Sequence, residues 1–127
     1  MWLDKRSKIV YDELHPDLQT LVDRVHEVMP LKLICGFRNE ADQNKAFEMG
    51  LSKVQWPDSK HNKLPSLAVD VSPDPIDWDR ERLTYMAGMI MALAYFLSIP
   101  LLWGGDWSND TVLKDNAFDD LVHFELI

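Results

Sequence analysis

Leu14, Leu18, Leu21, Val22, Val25, Val28 and Met29 recur at three- and four-residue steps, the spacing that gathers apolar side chains on one face of a helix. Pro16 suits a first helical position, Asp17 complements the positive end of the helix dipole and Pro30 stops the run, so the pattern predicts an amphipathic helix. A short apolar strand is predicted over 31–35. Gly36-Phe37-Arg38 leaves it for a second helix over 40–49, with Asn39 as cap and Gly50 as terminator, which sets Arg38 at a strand-to-helix junction. Residues 51–66 mix Ser, Lys and Asn with Pro57 and Pro65 and show no periodicity; they read as a loop feeding a strand over 67–71. Beyond the turn-rich Ser72-Pro73-Asp74-Pro75, the longest helix is predicted over 79–97, and its apolar character nearly all round puts it at the centre of the core. A strand over 101–103, a polar loop from Gly104 through Asp119 and a last strand over 122–126 follow.

With 127 residues, 46% of them hydrophobic, the chain can bury one core, and a single domain over 1–127 is expected. The formal charge of -8, with no Lys/Arg run to release counterions, excludes a general affinity for nucleic acid or anionic membrane. Cys35 is the only cysteine, so no internal disulfide can form, and within its apolar strand it reads as a small buried hydrophobe. Asp4, Lys5, Arg6 and Lys8 have no apolar block behind them, so no signal peptide is expected. Residues 83–105 carry no charge and raise the question of a membrane span. Ser98-Ile99-Pro100 breaks the stretch into pieces of globular length, so a buried helix and strand are expected without stable membrane insertion. The order of elements gives an α+β fold, with a small antiparallel sheet bearing the site on one face and helices packed on the other; a monomer is expected.

Candidate chemistry lies in two separated segments. On an extended strand His123 and Glu125 share one face, while Val122, Phe124 and Leu126 take the other, so His123 faces a cleft rather than the core. Asp120, just before that strand, can curl back toward whatever His123 binds. His61 falls in the predicted loop and Asp70 on the strand after it. Two imidazoles, one carboxylate and a further acid are what a catalytic zinc site needs: three ligands leave a position for water, and the remaining acid takes its proton. Trp103 and Trp107 flank a Gly-Gly turn and either wall the cleft or finish the core. His15, before Pro16, reads as a helix cap, and His26 as a solvated side chain.

Ser59-Lys60-His61, Ala68-Val69-Asp70 and Asp120-x-x-His123 resemble the signature of the zinc D-alanyl-D-alanine carboxypeptidase and L-alanyl-D-glutamate endopeptidase family, which includes phage endolysins. The resemblance runs from Leu14-His15-Pro16-Asp17-Leu18-Gln19 through Gly36-Phe37-Arg38, Asp42-Gln43 and Trp103-Gly104-Gly105-Asp106-Trp107 to His123-Phe124-Glu125-Leu126. It implies Zn2+ held by His61, Asp70 and His123, with Asp120 as catalytic base and Arg38 near the scissile carbonyl. Gln43 and Ser59 are implied as substrate contacts. Asp119 is a neighbouring acid that competes with Asp120, and Glu125 is a third that could orient a ligand. The chain departs from the family's His-x-x-Gly-x-Ala-x-Asp by two extra residues, with Lys63-Leu64-Pro65-Ser66 where the glycine turn should be.

The resemblance implies a metallopeptidase that cleaves peptidoglycan stem peptides, an endolysin acting on the L-alanyl-D-glutamate bond. Such a protein is expected in the host cytoplasm before lysis and at the periplasmic wall afterwards. The alternatives are a D,D- or L,D-carboxypeptidase, for which Lys60 or Lys63 could hold the terminal carboxylate, and a non-catalytic zinc-containing wall-binding module.

Overall fold

The computed structural model describes residues 3–113 and 118–127. Four helices and four strands run in the order α1 (Lys5–Glu13), α2 (Pro16–His26), β1 (Leu31–Cys35), α3 (Glu40–Glu48), β2 (Ala68–Pro73), α4 (Arg80–Phe96), β3 (Leu101–Trp103) and β4 (His123–Leu126). Each helix starts on a side chain that accepts from an otherwise orphaned backbone N–H: Asp4 for α1, His15 for α2, Asn39 for α3 and Asp79 for α4. Pro16 occupies the first turn of α2, and Gly50 takes up the left-handed conformation (φ 75°) just after α3. His26 is no solvated side chain: its Nδ1 accepts the Leu31 N–H and fastens the end of α2 to β1.

The strands form one antiparallel sheet in the order β1-β2-β4-β3. Val69, Val71, Phe124, Leu126, Leu31 and Leu33 point into the core, where they meet Leu18, Leu21, Val22 and Val25 of α2 and Leu83, Met86 and Ile90 of α4. The sheet is therefore apolar on its helix-covered face and free to carry polar groups on the other. α1, whose residues show little apolar periodicity, packs on β1; the Ser7 hydroxyl accepts the Leu33 N–H and Arg6 donates to the Ile34 carbonyl.

Two expectations change. α4 does not lie at the centre of the core. It buries Leu83, Met86, Ala87, Ile90 and Ala94 against the sheet and α2, while Tyr95 and Phe96 are 81% and 80% exposed. Freedom from charge came from composition rather than period, and composition cannot say which face is covered. No helix among the described residues is long and apolar enough to cross a membrane. Cys35 is the second change. The β1–β2 register shifts between Leu33, which pairs with Val71, and Cys35, which pairs with Asp70. This bulge reverses the alternation, so Cys35 leaves the core face and joins Asp70 on the polar one.

Candidate metal centre

His123 and Asp70 are direct partners across β4 and β2, so their side chains rise side by side from the polar face. His61 reaches them from a single 3-10 turn, Lys60–Asn62, inside the segment whose sequence showed no periodicity. That turn is closed by a capping box: Ser59 Oγ accepts the His61 N–H, and Asn62 Oδ1 accepts the Ser59 N–H. The Arg38 N–H donates to the His61 carbonyl at 2.7 Å and ties the turn to the end of β1.

Three atoms converge. His61 Nε2, His123 Nδ1 and Asp70 Oδ1 stand 3.2 Å from one another along all three edges. The far side of each ring is occupied by an acceptor. His61 Nδ1–H donates to the Gly36 carbonyl at 2.6 Å, and His123 Nε2–H donates to Glu125 Oε1 at 2.8 Å. In the neutral tautomers those bonds dictate, the three converging atoms present lone pairs and no hydrogen. Tetrahedral zinc with ligands at about 2.0–2.1 Å would hold neighbouring donors about 3.3–3.4 Å apart, so the triangle fits a metal ion. Without a cation the same cluster must take up protons. Burial disfavours charge on both imidazoles, but the Asp70 carboxylate overrides it and raises their pKa values, while the imidazoles hold buried Asp70 well below the usual carboxylate range.

Two overlapping groups among the described residues could hold a metal: Cys35, His61 and Asp70, and Asp70, Asp120 and His123. Asp120 belongs to the second, and its pKa is raised by burial and then by the neighbouring Asp70 charge. Its backbone is clamped: the Asp120 N–H donates to the Gly104 carbonyl, and the His123 N–H donates to the Asp120 carbonyl. Asp119 points elsewhere and pairs with Arg80. Arg38 Nη2 lies 3.8 Å from Asp70 Oδ2, and its Nη1 donates to Gln43 Oε1 at 3.0 Å.

A cleft of about 580 Å³ opens over this cluster, walled by Arg38, Ser59, Trp107, Phe118 and Trp78 among others. Trp107 stands at the wall with its ring 5.5 Å from that of His123, whereas Trp103 is buried in the core. Ser59 lines the cleft, although its hydroxyl is engaged with His61. Gln43 has no exposure at all. Its carbonyl accepts from Arg38 and Asn62, and its amide donates to Ser52 and to the Val54 carbonyl. In place of the implied substrate contact, it reaches the cleft only through Arg38 and the loop it anchors. The sequence of Glu125 suggested an orienting role, and the contact with His123 Nε2 is of that kind; Cys35 and Gly104 were visible only once the bulge and the turn were known.

The sequence model of the phage L-alanyl-D-glutamate peptidase family matches residues 1–127. The chain belongs to that family. This phage peptidase is a hydrolase of peptidoglycan stem peptides. Its fold is similar to that of the L-Ala D-Glu endopeptidase ChiX of Serratia marcescens, with 26% identity, a TM-score of 0.75, and coverage of 97% of this chain and 87% of that one. No curated protein sequence matches the phage peptidase.

Proposed function

We propose that this peptidase cuts the L-alanyl-D-glutamate bond as a zinc enzyme, with His61, Asp70 and His123 as ligands, Asp120 as general base and acid, and Arg38 at the scissile carbonyl. The observation that carries the reading is the triangle of three lone pairs at 3.2 Å whose outer ring nitrogens are already spent on Gly36 and Glu125. Two imidazoles and one carboxylate suit zinc, and they leave a position open for chemistry.

Zinc held there would supply a Lewis acid and lower the pKa of a ligated water to about 7. The protein's own groups do the rest. Asp120, ionised at the start, accepts the water's proton on a carboxylate oxygen as the hydroxyl attacks the alanyl carbonyl carbon, and then delivers that proton to the departing glutamyl nitrogen as the C–N bond breaks. Burial and the neighbouring Asp70 charge raise its pKa, which strengthens it as an acceptor for that proton. The Arg38 guanidinium, fixed by Gln43, donates to the carbonyl oxygen as charge develops there. Gly36 and Glu125 hold the His61 and His123 rings, so both ligands are oriented before any metal arrives. Ser59 and Gln43 act as positioning residues, the first through the His61 turn and the second through Arg38.

The test is mass spectrometry of purified peptidoglycan after digestion by metal-free protein and by protein given one equivalent of zinc. Zinc-dependent release of fragments with new glutamyl amino termini is expected. Asp120→Asn should keep its zinc and lose on the order of 10² to 10⁴ in rate. Full cleavage by metal-free protein, or an active Asp120→Asn, would overturn the assignment.

A further inference from the structure

In a chain of formal charge -8, the cleft is lined by three cations: Arg38, Lys53 and Lys60. Arg38 is already engaged with Gln43 and lies beside Asp70. Lys53 takes part in none of the ion pairs among the described residues; its Nζ stands 4.8 Å above the ring of Phe118 instead. The ring's negative face holds the ammonium in place without neutralising it, so its three N–H groups remain able to donate.

Both ends of this contact are tied to the metal centre. The flanking residues Ser52 and Val54 accept from Gln43 Nε2 at 2.9 and 2.7 Å, and Gln43 also accepts from Arg38. On the other side, Trp107 Nε1 donates to the Phe118 carbonyl at 2.6 Å, and the Trp107 ring packs near that of His123. The contact thus joins two lining residues of the cleft, each linked through its neighbours to the side chains of the metal centre.

The substrate has a matching charge. A glutamyl residue carries two carboxyl groups and continues the chain through only one, so a free carboxylate remains on the very residue whose nitrogen is released. We propose that Lys53 is a specificity-determining residue that pairs with this carboxylate, so that the enzyme distinguishes the free acid from its amide. The proposal rests on the peptidase reading above. An ammonium held over Phe118 in a cleft that also carries Asp58, Asp70, Asp120 and Glu125 gives an anionic substrate its register and keeps its charge away from those acids.

Two stem peptides identical except that the free glutamyl carboxylate is a primary amide in one would be compared by kcat/KM for wild type, Lys53→Gln, Lys53→Arg and Lys60→Gln. Wild type should prefer the acid about tenfold or more, as expected for a hydrogen bond between charged groups. Lys53→Gln should abolish the preference mainly by raising KM for the acid, Lys53→Arg should restore it, and Lys60→Gln should leave the ratio alone. High salt should also reduce the wild-type preference. A folded, zinc-loaded Lys53→Gln enzyme that keeps the wild-type ratio, or a ratio that collapses in Lys60→Gln instead, would refute the role of Lys53. Wild type cleaving neither peptide would refute the peptidase reading itself.

Discussion

Gly104→Ala is expected to disable catalysis while sparing metal binding. A Cβ at this position would stand 2.1 Å from the Asp120 carbonyl oxygen, whereas ordinary contact begins at 3.4 Å, so about 1.3 Å must be found. The obstacle is backbone, and it cannot swing aside as a side chain would. Two hydrogen bonds of 2.8 Å, Asp120 N–H to the Gly104 carbonyl and Gly104 N–H to the His123 carbonyl, bind the turn to the segment it would have to leave. The compromise falls on Asp120, and misplacing a catalytic group by about 1 Å costs on the order of 10²-fold in rate. His61 and Asp70 lie on other elements and Glu125 pins the His123 ring, so zinc affinity should change far less than rate. The overpacking should also cost about 1–3 kcal/mol of stability. The assay is kcat/KM on a stem peptide at saturating zinc, with zinc Kd from chelator competition and Tm measured alongside. A folded, zinc-loaded Gly104→Ala enzyme within threefold of the wild-type rate would refute the idea that this close approach sets Asp120.

Glu125→Gln replaces a charge-assisted acceptor at 2.8 Å by a neutral one, and should weaken zinc binding or activity about 10- to 100-fold; unchanged values for both would remove Glu125 from any orienting role. Metal removal should reveal a pH dependence of definite sign. In metal-free protein the His61 and His123 pKa values are raised, so their contribution to stability is fully present below the ordinary value of 6.5 and is lost as pH rises above it. Zinc needs both lone pairs and must displace those protons, so the increase in Tm on adding zinc should be larger at pH 8 than at pH 6; equal increases would contradict the protonated cluster. Phe124→Ala, which empties a fully buried site beside His123, should cost about 3–5 kcal/mol in denaturant unfolding, and a loss under 1 kcal/mol would show that the core collapses around it.

The elements that announced themselves in the sequence are those whose burial follows a simple period. The apolar stripe of α2, the alternation in β4 and the caps at His15 and Asn39 all matched what the structure contains. α1 gave no such signal, because only Ser7 and Val10 of its nine residues are buried and it binds β1 largely through polar contacts. The turn that carries His61 is too short for any period, and is held by Ser59, Asn62 and Arg38 rather than by apolar spacing. His61, Asp70, Asp120 and His123 could be proposed from residue type and resemblance, and the fold brings these four together. The surroundings could not. Gln43 was a substrate contact only by what the resemblance implied, and the chain folds over it completely. Cys35 obeyed the alternation of its strand until a one-residue bulge moved it to the other face, an event set by pairing with β2 rather than by β1 itself.

β4 is the last strand along the chain, but it lies inside the sheet, between β2 and β3. Among the described residues β3 pairs with no other strand, so the sheet is complete only once β4 inserts, and the β2–β4 pairing that this makes spans all of α4 and β3. The same insertion carries His123 to Asp70. A nascent chain still lacking these residues would hold neither a finished core nor a finished site. Completion of the sheet and assembly of the candidate metal centre are therefore one event.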